Sequence, residues 1–314
     1  MSLILSNFDI FFYHHYTPLQ FPNTTTTSSK MARRWVLTGQ EGFETSLEYQ
    51  QDVKIPSPHE LGSHDVLVRM HAASLNYREL VIAGPMVWHQ WTNHATVIPG
   101  CDGAGIVEGV GSSVHDFHVG DRVLTHVSAK FVESHGDDAL PGIANAAACL
   151  GQGSDVGAIV IATTSSEEKA ARLKTLGATH VINYLANPKG WGEEARGLTP
   201  GGRGVDFVID VGGNETLPNS LVAVRVDGIV LVVGQVGESS VNAVPMFAAL
   251  LHTCIVRGIL AASRNQFREL VRFIDEYEIV PAVDDVVFKL AEVKSVYRRL
   301  KEKKHFAKVL IEID

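Results

Sequence analysis

The apolar positions of this chain change their period near residue 157. Upstream, from Trp35 to about Val127, they come in short alternating runs broken by glycine. VLVRMHAASL (66–75) has strand character, and the glycine-rich stretch after Pro99 supplies more short strands. This pattern predicts strands and turns suited to a compact, partly closed β-barrel. From Gly157 the runs become continuous. VGAIVIATT (156–164) reads as a strand buried on both faces. SSEEKAARLKTLGA follows, with Ser165 and Glu168 spaced as a capping box, Ala170, Leu173 and Leu176 at helical spacing, and Gly177 as a stop. THVINY, VDFVIDV, GIVLVVG and CIVRGIL are further buried strands separated by helical segments. Such alternation predicts an α/β unit, a parallel sheet with helices on both faces. SRNQFRELVRFIDEYEI is an amphipathic helix opened by Ser263 and Gln266, with Phe267, Leu270, Val271 and Ile274 on its apolar stripe. The tail from Phe288 reads as strand, helix, strand.

Composition narrows the function classes. A chain of 314 residues holds two domains of ordinary size, and 45% hydrophobic with 20% charged residues fits a soluble globular protein. A formal net charge of -8 argues against a nucleic-acid partner. No apolar run reaches the ~18 residues of a membrane span. Three scattered cysteines, Cys101, Cys149 and Cys254, make no disulfide framework and fit a reducing, cytoplasmic setting. Residues 1–30 end in a Thr/Ser run without periodicity and read as a disordered extension. They have no basic segment before the apolar part and no Arg, so a secretory or mitochondrial signal matches poorly.

Residues 99–123, PGCDGAGIVEGVGSSVHDFHVGDRV, combine tight glycine turns with short strands. Together with VLVRMHAASLNYREL they resemble the catalytic domain of the medium-chain dehydrogenase/reductase superfamily. The zinc alcohol dehydrogenases of that superfamily place a metal-binding Cys where this chain has Asn76 and a metal-binding His where it has Cys101. The resemblance is therefore to the zinc-independent, quinone-oxidoreductase-like branch. It implies a GroES-like β-barrel catalytic domain (31–140), a Rossmann-type nucleotide-binding domain (141–282), and a C-terminal return to the catalytic domain (283–314). It also implies a small-molecule substrate, and a homodimer formed through a sheet edge as in relatives. No metal is expected. His115 and His118 have ligand-like spacing, but no cysteine or carboxylate pattern joins them.

One element of the family pattern is missing. A strand, a glycine-rich turn and a helix normally precede the VIAT strand, yet only four residues separate Gly153 from Ala158. A parallel crossover needs a dozen residues or more, so part of the first βα unit is expected to be lost. Gly151 and Gly153 resemble the start of the pyrophosphate turn, although a plain loop explains them as well. At the end of the next strand an NAD-binding sheet usually carries a carboxylate for the ribose. Here Thr163, Thr164, Ser165 and Ser166 stand there, with Lys169 one turn on. Hydroxyls and an ammonium accept a 2′-phosphate that a carboxylate would repel, which points to NADPH. The alternative is a capped surface helix with an exposed lysine. Tyr184 matches a position near that phosphate in the family, and Gly212 and Gly234 follow strands at the sheet edge where ligands bind. For the chemistry, Asn76 can donate through its amide and Tyr77 through its phenol to a developing oxyanion or enolate. Arg78 reads as a surface ion pair with Glu79 or another acid, or as a contact to an anionic group, Cys101 as a small buried cysteine or a reactive thiol, and Asp102 as a brace or an orienting group. The expected activity is NADPH-dependent reduction of a quinone, enone or related activated carbonyl. A fold-retaining inactive homologue and a zinc alcohol dehydrogenase stay open.

Overall fold

The computed structural model describes residues 2–6, 10–12, 31–84, 97–126, 158–236, 243–259 and 262–314. The chain falls into two compact units, residues 1–132 with 282–314, and residues 133–281.

In the first unit the strands are β1 (Ser2–Ser6), β2 (Ile10–Phe12), β3 (Met31–Leu37), β4 (Leu47–Lys54), β5 (Asp65–Ser74), β6 (Asp102–Val110) and β7 (Arg122–Thr125). β1 pairs antiparallel with β5, and β2 with β7. The expectation of disorder over residues 1–30 does not hold for Ser2–Ser6 and Ile10–Phe12, where short apolar runs pair as strands. β5 and β6 form the central antiparallel pair. Their glycines have a steric cause: a Cβ at Gly105 would lie 2.4 Å from the Arg69 carbonyl oxygen on β5. β3 and β4 make a separate hairpin.

The second unit contains β8 (Ile161–Thr164), β9 (His180–Asn183), β10 (Val205–Asp210), β11 (Val224–Val232) and β12 (Ile255–Gly258). Every pairing is parallel, as the continuous apolar runs predict, but among the described residues the strands form two sheets rather than one. β8 pairs with β9, and β10–β11–β12 stand apart. In a doubly wound sheet of order 3-2-1-4-5-6 the first strand lies between the second and the fourth. The break falls where that strand would be. Among the described residues β8 and β10 therefore each keep an unpaired edge, and Phe207, Ile209 and Val211 on or beside β10 are exposed. What bridges the pieces is a small cluster of Ile182, Trp191, Ala195 and Ala223, against which Ile161 of β8 and Val205 and Val208 of β10 pack.

The helix Glu167–Thr175 starts one residue later than the spacing predicts. Ser166, not Ser165, is its cap, and its Oγ accepts from the Lys169 N–H at 3.2 Å. Gly177 ends that turn with φ +95°, as expected. The helix Arg264–Glu276 opens on the predicted Ser263–Gln266 capping box.

After β13 (Val283–Lys289) and the helix Val293–Lys301, the chain closes with β14 (Lys308–Glu312). Both strands join the first unit's sheet, whose order is β13-β14-β5-β6-β7-β2. The helix buries Val293, Val296, Tyr297 and Leu300 against Phe43, Val68, Val107 and Ile311. Beside it, the nearly fully buried Asp284 accepts from Arg299 Nη2 at 2.9 Å, from Arg299 Nε, and from the Phe306 N–H at 3.2 Å. Burial works to raise its pKa, but the Arg299 guanidinium prevails and holds it below the ordinary carboxylate range. A lowered folded-state pKa means that this contribution is present above pH ~4 and is lost as pH falls through the lowered value. Asp284→Asn is thus expected to lose about 2–3 kcal/mol at pH 7, a deficit that shrinks toward zero in strong acid. Urea melts of both proteins across that range check it, and a pH-independent deficit would contradict it.

Candidate active site

Register builds the site in the first unit. Ser74 pairs with Asp102 across β5 and β6, so the segments just past that pair, with Asn76 on one and Cys101 on the other, converge. On the other side of β5, Leu310 pairs with Ser74 and Glu312 with Ala72. Continuing that antiparallel register brings Lys308 level with Asn76. The side chains close into a network. Asn76 Nδ2 donates to Asp102 Oδ2 at 2.9 Å and to Cys101 Sγ at 3.4 Å. Lys308 Nζ donates to Asn76 Oδ1 and, at 2.6 Å, to Asp102 Oδ2. Ser74 Oγ adds a third donor to Asp102 at 3.2 Å. Thr125 Oγ1 holds the Cys101 carbonyl at 2.8 Å.

Charges follow from this packing. Burial favours the neutral form of Asp102, yet the Lys308 ammonium and the Asn76 and Ser74 hydrogen bonds hold its carboxyl below the ordinary value. Burial, with Asp102 and Glu79 nearby, pushes the Cys101 thiol up to about 11, so it is predominantly protonated at neutral pH. Glu79 is fully buried at the start of the helix Tyr77–Ala83, accepting from the Asn76 N–H at 2.7 Å and from Arg78 at 3.3 Å. Burial raises its pKa. Arg78 is thereby placed in the ion pair expected of it. Tyr77 opens the same helix and is 37% exposed.

Asn76 differs from its expected role. Both of its amide hydrogens have acceptors within the network, so it orients its neighbours instead of presenting a free donor. Lys308 was not singled out from the sequence. It lies 206 residues from Asp102, and only the pairing of β14 with β5 joins them. Among the described residues no three His, Cys, Asp or Glu side chains converge as a metal site would require.

The second unit holds the remaining candidates. Thr163 is exposed at the end of β8, Ser165 is half-buried, and Lys169 lies in the first turn of the helix Glu167–Thr175. Ser166 is occupied as the helix cap. Glu167, also in that turn, accepts from Asn183 Nδ2 at 2.8 Å, which draws one carboxylate toward β9. Tyr184 donates its N–H to the Thr164 carbonyl at 3.0 Å and packs on the Trp191 cluster. Gly212 and Gly234 serve close approach within the chain: a Cβ at Gly212 would lie 2.4 Å from the Thr216 Oγ1, and one at Gly234 3.0 Å from the Val211 carbonyl. Asp210, which the sequence did not mark, is buried beneath them and accepts from the Gly213 N–H, Thr216 Oγ1 and Ser220 Oγ at 2.6–2.8 Å. Gly151 and Gly153 lie outside the described residues.

Two family models match in succession: an alcohol dehydrogenase GroES-like domain over residues 62–175 and a zinc-binding dehydrogenase over residues 152–276. A zinc-type alcohol dehydrogenase-like protein of Schizosaccharomyces pombe is 29% identical over 355 aligned residues, covering 90% of this chain and 100% of that protein. The quinone oxidoreductase of Rattus norvegicus is 26% identical over 275 residues, covering 70–80% of each chain (71% of this one, 79% of the other). The crystal structure of a putative alcohol dehydrogenase from Sinorhizobium meliloti superposes with a TM-score of 0.73 at 27% identity, over 91% of this chain and 100% of that one. These matches pair a GroES-like domain with a Rossmann-type parallel sheet. The chain belongs to the medium-chain dehydrogenase/reductase superfamily, in its quinone-oxidoreductase-like branch.

Proposed function

We propose that this protein is an NADPH-dependent reductase of a quinone, enone or related activated carbonyl compound, working without zinc. The observation that carries the reading is the network at positions 76, 101, 102 and 308, where an amide, a protonated thiol, a carboxylate and an ammonium satisfy one another. A neutral thiol and a carboxamide are poor zinc ligands, because metal binding needs the thiolate. The superfamily fold implies a nicotinamide cofactor and small-molecule substrates. Bound NADPH would supply the hydride that reduces the substrate carbon. The donor chemistry at the end of β8 fits its 2′-phosphate: Thr163 and Ser165 offer hydroxyls, and Lys169 offers a positive charge. Tyr77, partly exposed at the start of its helix, donates the proton that completes the reduction. Asn76 is a positioning residue that fixes Lys308 and Asp102 relative to each other.

The test is NADPH oxidation by purified protein with quinones and enones, with and without a strong chelator. Turnover that the chelator leaves intact supports the reading. Turnover lost on chelation and restored by zinc would overturn zinc independence. The split sheet favours a second reading, a folded homologue without turnover, and absence of NADPH oxidation with every acceptor would select it. Within the cofactor reading, Lys169→Ala is expected to weaken NADPH binding about 5- to 20-fold and leave NADH binding unchanged. Titrations with both nucleotides check this, and equal weakening of the two would remove Lys169 from the phosphate site.

A further inference from the structure

We propose that Lys308 is the electrophile of the site: its ammonium binds the oxygen on which negative charge develops during reduction. This inference rests on the reductase reading and deepens it.

Reduction of a C=C–C=O group adds hydride at the β-carbon as NADPH becomes NADP⁺. The C=C electron pair moves to make an enolate, which a proton from Tyr77 then converts to product, and water restores that proton. The enolate oxygen needs a donor or a cation at the moment its charge appears. Asn76 does not supply one, because Asp102 and Cys101 take both of its amide hydrogens. Ser74 donates to Asp102, and Thr125 to the Cys101 carbonyl. Lys308 differs from all of these. An ammonium has three N–H groups. Two are directed to Asn76 Oδ1 and Asp102 Oδ2, and the third has no acceptor among the described residues. The side chain is 47% exposed, so that third N–H is open to an incoming molecule.

Its anchoring makes the position useful. A lysine on an open surface samples many rotamers, and ordering it on demand is costly. Here two acceptors hold the ammonium before anything binds, and Asn76 ties one of them to the other. Asp102 balances the charge without enclosing it, since the carboxylate is itself 43% exposed. The result is a preorganised positive group on the first residue of β14, a rigid element paired to both β13 and β5. The substrate class that fits is one whose reacting oxygen is anionic or becomes so: an α,β-unsaturated carbonyl or carboxylate, or a quinone.

Two measurements test the assignment. Lys308→Met keeps the length of the stem and removes the charge. It is expected to lower kcat about 100- to 1,000-fold with the protein still folded, its melting temperature lowered only modestly by loss of the partly exposed pair with Asp102, and Lys308→Arg is expected to recover part of the loss. Full kcat in Lys308→Met would overturn the proposal. The second measurement needs neither cofactor nor turnover. Cys101 shares the Asn76 amide with Lys308, and iodoacetate and iodoacetamide attack the same thiolate, so the ratio of their rates at Cys101 reads the charge beside the sulfur. Peptide mapping is expected to show that ratio falling roughly three- to five-fold in Lys308→Met; an unchanged ratio would overturn the claim that Lys308 presents its charge there. If the wild type turns over no acceptor but its ratio still depends on Lys308, the reductase reading fails and Lys308 remains an anion-binding cation. If neither is seen, both fail.

Discussion

Tyr297→Ala is expected to destabilise the first unit by about 3–5 kcal/mol, the largest single effect predicted for this chain. The side chain is completely buried at the centre of the helix Val293–Lys301, and its ring stacks on Phe43 with centroids 5.1 Å apart. It joins the C-terminal helix to the core of β5, β6 and β14. Alanine would leave a cavity that this packing, anchored on two sides by sheet, cannot close. With domain stabilities of only ~5–15 kcal/mol, such a loss removes much of the margin. Tyr297→Phe gives the opposite contrast. The phenolic oxygen is buried and has no hydrogen-bond partner among the described residues, so deleting it relieves an unsatisfied group and is expected to be neutral or to stabilise by up to ~1 kcal/mol. Denaturant melts of the two variants check the pair of predictions. Equal losses for both would show that the hydroxyl, not the ring, holds the helix.

Tyr77→Phe is expected to lower kcat for an enone about 100-fold or more while KM changes little. Tyr77 is at the first position of its helix and is partly exposed, so removing one oxygen leaves the backbone and the neighbouring Glu79–Arg78 pair in place. Loss of a proton donor acts on the transition state, whereas loss of a binding contact raises KM. A variant with unchanged kcat would make Tyr77 a half-exposed aromatic and no more. Steady-state kinetics with folding confirmed by circular dichroism would decide.

These predictions differ in how far the sequence foretold them. Local signals were legible. The Ser263–Gln266 box opens its helix because a cap is a contact over three residues, and Gly177 stops a helix because its φ is positive. Two adjacent serines defeated the same logic at the helix Glu167–Thr175, since periodicity does not say which of Ser165 and Ser166 takes the extended backbone of a cap. The five apolar runs were readable as parallel strands. How they would pair was not readable, because pairing is a long-range property: β8 and β10 separate, and the Trp191 cluster spans the two pieces. The site was half legible. Asn76, Cys101 and Asp102 lie in recognisable segments, but the role of Asn76 depends on Lys308, which only the register of β14 brings to it. Asp210 escaped notice for a related reason, since its three donors come from the turn and helix that follow.

The split sheet bears on the whole account. Among the described residues no strand lies between β8 and β10, and in a complete nucleotide-binding sheet that place belongs to the unit that carries the pyrophosphate turn. Coenzyme affinity therefore depends on what remains: the hydroxyls and Lys169 at the end of β8, and the glycine-lined ends of β10 and β11. Equilibrium titration of the full chain with NADPH, followed by nicotinamide fluorescence, measures that directly. Saturable binding in the micromolar range, at least about tenfold tighter than NADH, is the predicted result. No saturation at millimolar nucleotide would contradict it.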